Sequence, residues 1–183
     1  MDWYSIVKFL HVVSATLWVG GGFALFLLGL LAERAGNIEG KLQAMHATGQ
    51  LGNRYFAPMS MLTLLFGLIM CGFWVGFSDL WILIGLAGYA TTFAIGMLVF
   101  KPSADRMAAM IAKDGVTPAA LSVGQRIMSA ARFDYSVMLV IIADMVLKPT
   151  AHGIAILAGM ALVVAAGATL AFGGNRRLVE SAA

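Results

Sequence analysis

Charge is scarce in this chain: 11% of its 183 residues are Asp, Glu, Lys or Arg, while 61% are hydrophobic. A soluble domain of this size could not be covered with polar surface from that stock, so the soluble globular class is excluded and a polytopic membrane protein is left. Cysteine is nearly missing. Cys71, the one copy, lies inside an apolar run, which rules out an intrachain disulfide and any Cys-x-x-Cys metal or redox motif; its thiol reads as a small apolar filler. Three histidines are few for a multi-haem protein. There is no Gly-x-Gly-x-x-Gly fingerprint, Walker loop, His-Glu-x-x-His helix or Ser/His/Asp arrangement, which removes the familiar nucleotide-binding, zincin and serine-hydrolase patterns. The net charge of +3 does not point to nucleic acid, because the basic residues flank apolar runs, where they set orientation and meet anionic lipid.

What the chain does have is apolar length. Five runs emerge, predicting an all-α bundle of five transmembrane helices at about 4–32, 57–77, 80–100, 126–148 and 152–172, in a single domain over 1–183. The first begins after Asp2 rather than a basic segment and has no small-x-small cleavage site before Glu33, so it reads as a retained span. The fourth is short in its apolar part. Thr117-Pro118 is a helix-start signature, and no breaker follows until Pro149 apart from Gly124, so one helix from about Pro118 to Lys148 is expected. Ser78-Asp79 and Lys148-Pro149-Thr150-Ala151 read as tight turns. The longer polar segments Glu33 to Phe56 and Lys101 to Arg132 read as carrying interfacial helix, with Gly36-Asn37 and Asp114-Gly115 as helix stops. No internal repeat and no low-complexity tract stands out.

Orientation follows from the basic residues. Arg34, Lys41, Arg54, Lys101, Arg106, Lys113, Arg126, Arg132, Arg176 and Arg177 fall on one side of a five-span arrangement, and only Lys8 and Lys148 lie toward the other. The positive-inside rule then puts the N-terminus outside and the C-terminus in the cytoplasm, with Trp3, Trp74 and Trp81 near the outer interface. Small-residue steps that let helices approach occur at Gly72-x-x-x-Gly76, Gly88-x-x-x-Thr92-x-x-x-Gly96 and Ala155-x-x-x-Gly159. They are compatible with a homo-oligomer or a membrane-protein partner.

Ionisable residues inside the spans are the candidates for chemistry. At 100° per residue, His11 shares a face of the first span with Ser14, Ala15, Trp18, Gly22, Leu25 and Gly29, a mostly small stripe that looks into the bundle. His11 therefore reads either as a ligand or proton-handling residue or as a neutral, hydrogen-bonded core histidine. Lys8, at the stripe's edge, reads as snorkelling to the outer surface. Asp144 and Lys148 are spaced for a helical ion pair in the favourable acid-before-base order, and His152 follows across the turn. By depth alone, Lys8, His11, Asp144, Lys148 and His152 share the outer half. Met59 and Met61 offer two thioethers suited to Cu(I), or simply pack. Asp134 reads as local compensation for Arg132, and His46 as a solvated residue.

The segments KFLHVVSATLWVGGGF, APMSMLTLLFGL and ADMVLKPT resemble a family of predicted bacterial integral membrane proteins of unknown function, over nearly the whole chain. That resemblance implies a bacterial inner-membrane location and brings no activity. The histidine followed by Trp-x-Gly-Gly is similar, more distantly, to copper-resistance D proteins and HemJ-type protoporphyrinogen oxidases. The HemJ-type likeness implies haem b on His11; its assisting lysine has no counterpart inside the third span here, and Lys148 stands at a helix end. The copper-resistance likeness implies copper. Together these readings predict binding of haem b, or less strongly copper or another transition metal, at His11, with Asp144 and Lys148 supplying charge around it, in support of electron transfer or metal handling. Two rivals stay open: a cofactor-free scaffold acting through its small-residue faces, and a proton or small-solute pathway.

Overall fold

The computed structural model describes the backbone of residues 2–180 and side chains to residue 173, and the described residues contain no strand. Arg176 and Arg177, used above for orientation, lie outside the described side chains. The helices are α1 (Trp3–Arg34), α2 (Ile38–Leu51), α3 (Ala57–Met70), α4 (Leu80–Ile95), α5 (Lys101–Asp114), α6 (Pro118–Leu147) and α7 (Ile154–Glu180). They form two compact units, one up to Phe77 and one from Ser78 onward.

In the first unit Asp2 caps α1, accepting from the Tyr4 amide at 3.2 Å and the Ser5 hydroxyl at 2.6 Å. The Ser5 bond, together with those from the backbone, holds the Asp2 carboxyl below the usual carboxylate range. The helix stops where the sequence says it should: Gly36 is left-handed (φ 66°), the Asn37 amide reaches back to the Ala32 carbonyl at 2.9 Å and the Gly36 amide to Glu33 at 3.2 Å. Asn37 then caps α2 through the Gly40 amide at 2.9 Å, and a 2.8 Å Lys41–Glu33 ion pair clamps the corner.

The polar segments carry helix as expected, and that helix is continuous with the spans. Helix α2 runs through a π-helical turn, Gly52–Phe56, straight into α3, and α4 runs through a second, Gly96–Phe100, into α5. Each turn precedes a proline by the same interval: Gly52-Asn-Arg-Tyr-Phe-Ala-Pro58 and Gly96-Met-Leu-Val-Phe-Lys-Pro102 share a Gly-x-x-x-Phe-x-Pro pattern, a recurrence missed at the level of whole repeats. The physical reason is local. A helical proline offers no amide and its ring presses on the carbonyl four residues back, here Arg54 or Leu98, and the wider turn absorbs that crowding without ending the helix. The result is one helical stretch from Ile38 to Val75, 38 residues, and another from Leu80 to Asp114, 35 residues. At 1.5 Å per residue each spans roughly 50–57 Å, well beyond the ~30 Å hydrocarbon core.

Among the described residues, those two stretches, with Trp3–Arg34 and Ile154–Gly173, are the four helices long and apolar enough to cross a membrane. Helix α6 is not among them; it carries Arg126, Arg132, Asp134 and Asp144 along its 30 residues. It starts as expected, with the Thr117 hydroxyl accepting from the Ala120 amide at 3.3 Å and Pro118 in the first turn. Its preceding stop, Gly115, is left-handed (φ 71°).

The distribution of polarity suits lipid. Phe73, Leu98, Leu162 and Leu170 are all at least 70% exposed, whereas Ser14, Ser60, Thr63, Thr92, Asp134 and Asp144 are buried. Each buried hydroxyl satisfies itself on its own helix, Ser14 on Leu10 (2.8 Å), Ser60 on Ala57 (2.9 Å), Thr63 on Met59 (2.8 Å) and Thr92 on Tyr89 (3.0 Å). A carboxylate has no such recourse.

Candidate functional site

In the first unit α1 packs on α2 and α3, and the face expected to look inward does so: Ser14 and Gly29 are its buried residues. His11 sits on that face, half-buried. Its Nδ1 lies 2.8 Å from the carbonyl oxygen of Thr63. A carbonyl only accepts, so Nδ1 carries the hydrogen and donates. The approach is made possible by Gly67, one turn on from Thr63 in α3, where a β-carbon would meet His11 Cε1 at 3.2 Å and Nδ1 at 3.4 Å. In the neutral ring Nε2 then keeps its lone pair, the arrangement that orients an imidazole for ligation. A second brace works the same way: the Tyr55 hydroxyl donates to the Leu17 carbonyl at 3.0 Å and its ring fills the notch at Gly21.

The other first-unit candidates do not gather around this ring. Lys8 is exposed, with Nζ 5.3 Å from the centre of the Tyr4 ring, in keeping with a snorkelling residue. Met59 and Met61 are two residues apart on α3, about 200° around the helix, and Met61 is 55% exposed, so their sulfurs are not brought together. His46 meets Gln50 at 2.9 Å on the exposed side of α2.

In the second unit α6 packs on α4, α5 and α7. Asp144 is fully buried, at 0% exposure, and neither carboxylate oxygen has a hydrogen-bond partner. The ion pair expected with Lys148 is not formed. Lys148 is left-handed (φ 44°) at the helix C-cap, bonded through its amide to the Asp144 carbonyl at 2.8 Å, while its ammonium lies over the Trp81 ring, 5.0 Å from the centroid. Pro149 contributes, because its ring disfavours helical geometry at the residue before it. Trp81 is steadied by donating to Asp79 at 3.2 Å. Asp144 faces α4 at Gly85, where a β-carbon would lie 3.4 Å from Oδ2. Asp134, expected to offset Arg132, is 3% exposed with Oδ1 unbonded. His152 is exposed in the turn before α7. No group of three or more His, Cys, Asp or Glu that could hold a metal ion occurs among the described residues.

Residues 5–149 match the family of predicted integral membrane proteins designated DUF2269. The chain belongs to that family. Both constellations of this DUF2269 protein, His11–Thr63–Gly67 and Gly85–Asp144–Lys148–Trp81, fall inside the matched segment, while α7 lies beyond it. No curated protein and no solved structure matches the chain.

Sequence reasoning found His11 and Asp144 but missed the glycines that receive them. Neither Gly67 nor Gly85 has another glycine four residues away, the repeat by which close helix contacts are usually recognised.

Proposed function

We propose that this DUF2269 protein is a five-span protein of the bacterial inner membrane, α6 included, with its N-terminus outside, and that it binds haem b through His11 in support of electron transfer. Orientation is supported by the ten basic residues that a five-span path collects on one side. A protease-cleavable tag on the N-terminus is therefore expected to be cut in intact spheroplasts and one on the C-terminus spared; the reverse pattern would invert the topology.

The observation that carries the ligand reading is the Nδ1–H donation from His11 to Thr63 at 2.8 Å. It presets ring orientation and tautomer, leaving Nε2 as the donor atom. Haem suits a solitary imidazole better than a bare ion does, because a porphyrin brings four nitrogens and asks one or two ligands of the protein, whereas a structural metal site needs several protein donors. The likeness of the first span to HemJ-type proteins favours the same group. Bound haem supplies one-electron chemistry; the chain's own part is to fix the imidazole and keep the surrounding helix face small at Ser14, Ala15 and Gly22.

Protein purified from haem-replete cells is expected to show a b-type Soret band, and His11→Ala to lower haem content by at least about tenfold, the scale on which even supporting contacts act. A wild type without haem, or His11→Ala with an unchanged spectrum, overturns the proposal. Metal analysis of the same sample separates haem iron from copper.

A further inference from the structure

We propose that Asp144 is a proton-binding site, at which the second unit takes up and releases a proton inside the protein while Lys148 moves between the Trp81 ring and the carboxylate. This inference stands apart from the haem reading: it uses second-unit residues alone, and its test needs no cofactor.

The Asp144 carboxyl lacks a hydrogen-bond donor. The buried hydroxyls of Ser14, Ser60, Thr63 and Thr92 each bond a carbonyl of their own helix, but an ionised carboxylate can only accept, and helix interiors offer no free donors. Asp144 is completely enclosed, and both oxygens are without a donor. An unpaired ionised carboxylate in that setting costs far more than one helix contact can return, whereas the neutral acid costs about as much as a buried hydroxyl. The arrangement seen is therefore that of the protonated acid. A buried acid kept for packing alone would be out of place, since an apolar side chain of similar volume fills such a position without that cost.

The charges around it fit exchange rather than permanent neutrality. Within the second unit, α4 brings no ionisable side chain between Leu80 and Ile95 except Tyr89, and α7 brings none between Ile154 and Gly173. Asp79 and His152 lie at helix ends, and Lys101, Asp105, Arg106, Lys113 and Asp114 of α5 join α6 through the Gly115 turn at its opposite end. On α6 itself Tyr135, Asp134, Arg132 and Arg126 lie nine or more residues earlier, about 13 Å or more along the axis. Lys148 is the one cation within a turn, tethered by its amide to the Asp144 carbonyl and resting on an aromatic face that holds an ammonium only weakly.

The step balances simply. When the seam between α4 and α6 opens beside Gly85, the Asp144 acid gives its proton to water and becomes a carboxylate; the Lys148 ammonium leaves the Trp81 ring and pairs with it. No other bond changes, and reprotonation returns the lysine to the ring. The i, i+4 ion pair that spacing alone suggests is then the second state of the switch, not the one observed.

Infrared spectroscopy of the protein in lipid vesicles tests this. At neutral pH a carbonyl band of a protonated carboxylic acid is expected in the wild type and in Asp134→Asn and to be missing from Asp144→Asn, while Asp144→Glu moves the band without removing it. Raising the pH should abolish the wild-type band reversibly. In a variant keeping Trp81 alone (Trp3, Trp18 and Trp74 replaced by Phe), Trp81 emission should change over the same pH range and stay flat when Asp144→Asn is added. Overturning results are a band that Asp144→Asn and Asp144→Glu leave untouched, a band insensitive to pH wherever the protein stays folded, or Trp81 emission that ignores its disappearance.

Discussion

A single methyl group at Gly167 is expected to destabilise the protein by about 1–3 kcal/mol, although Gly→Ala ordinarily favours a helix by up to about 1 kcal/mol. The β-carbon would fall on Ser136 of α6, overlapping both its Cβ and its Oγ. Serine has no flexible end to swing away, and its hydroxyl is tied to the Arg132 carbonyl at 3.0 Å. The helices themselves would have to part, and α6 and α7 form the most extensive seam of the second unit alongside α4 and α6. Gly159 on the same helix is the control, since a β-carbon there meets nothing within 4 Å; Gly159→Ala should be neutral or stabilising. Adding Ser136→Gly to Gly167→Ala should recover most of the loss, a coupling that distant sites do not show. Thermal or denaturant unfolding in detergent measures all four proteins. Equal stability of Gly167→Ala and Gly159→Ala would mean that this seam is not packed as described.

The same contrast marks how far the sequence could be read. Helical periodicity told which face of α1 turns inward, because a run of small residues around His11 has a physical reading without knowledge of the partner, and Ser14 and Gly29 are indeed its buried residues. The caps at Thr117, Gly36 and Gly115 were legible for the same reason, each being a local rule about backbone geometry. Choosing which glycines make contact was not local. Gly72, Gly76, Gly96 and Gly159, picked for their four-residue spacing, have nothing within 4 Å of a β-carbon position, and of that set only Gly88 receives a neighbour, Ile141 at 2.6 Å. Which helix lies opposite is a tertiary fact that spacing does not carry.

The failed Asp144–Lys148 pairing is a different kind of miss, because the signal was present. Pro149 follows Lys148 directly and disfavours there the helical geometry that an i, i+4 pair assumes. The continuous helices through Gly52–Phe56 and Gly96–Phe100 repeat that lesson in reverse. There each proline is accommodated by a widened turn upstream, and the helix continues.

In the first unit, the largest effect is expected from Gly67→Leu. A β-carbon alone would sit 3.2 Å from His11 Cε1, so Gly67→Ala should require the ring to shift by a few tenths of an ångström and cost little. Leucine cannot be accommodated that way: the imidazole must leave the α3 surface, breaking the bond to Thr63, worth about 0.5–1.5 kcal/mol, on top of an overpacking cost of about 1–3 kcal/mol. With the ring displaced, its orientation is lost, so haem content should fall with His11→Ala even though Gly67 has no donor atom of its own. Stability separates this route from general damage. If leucine acts by evicting the imidazole, removing the ring first makes room for it, and Gly67→Leu should cost much less in a His11→Ala background than in the wild type. Unfolding of the two single variants and the double variant in detergent gives that coupling directly. Strict additivity would show that His11 and Gly67 do not meet, and the preset imidazole on which the haem reading rests would be lost with them.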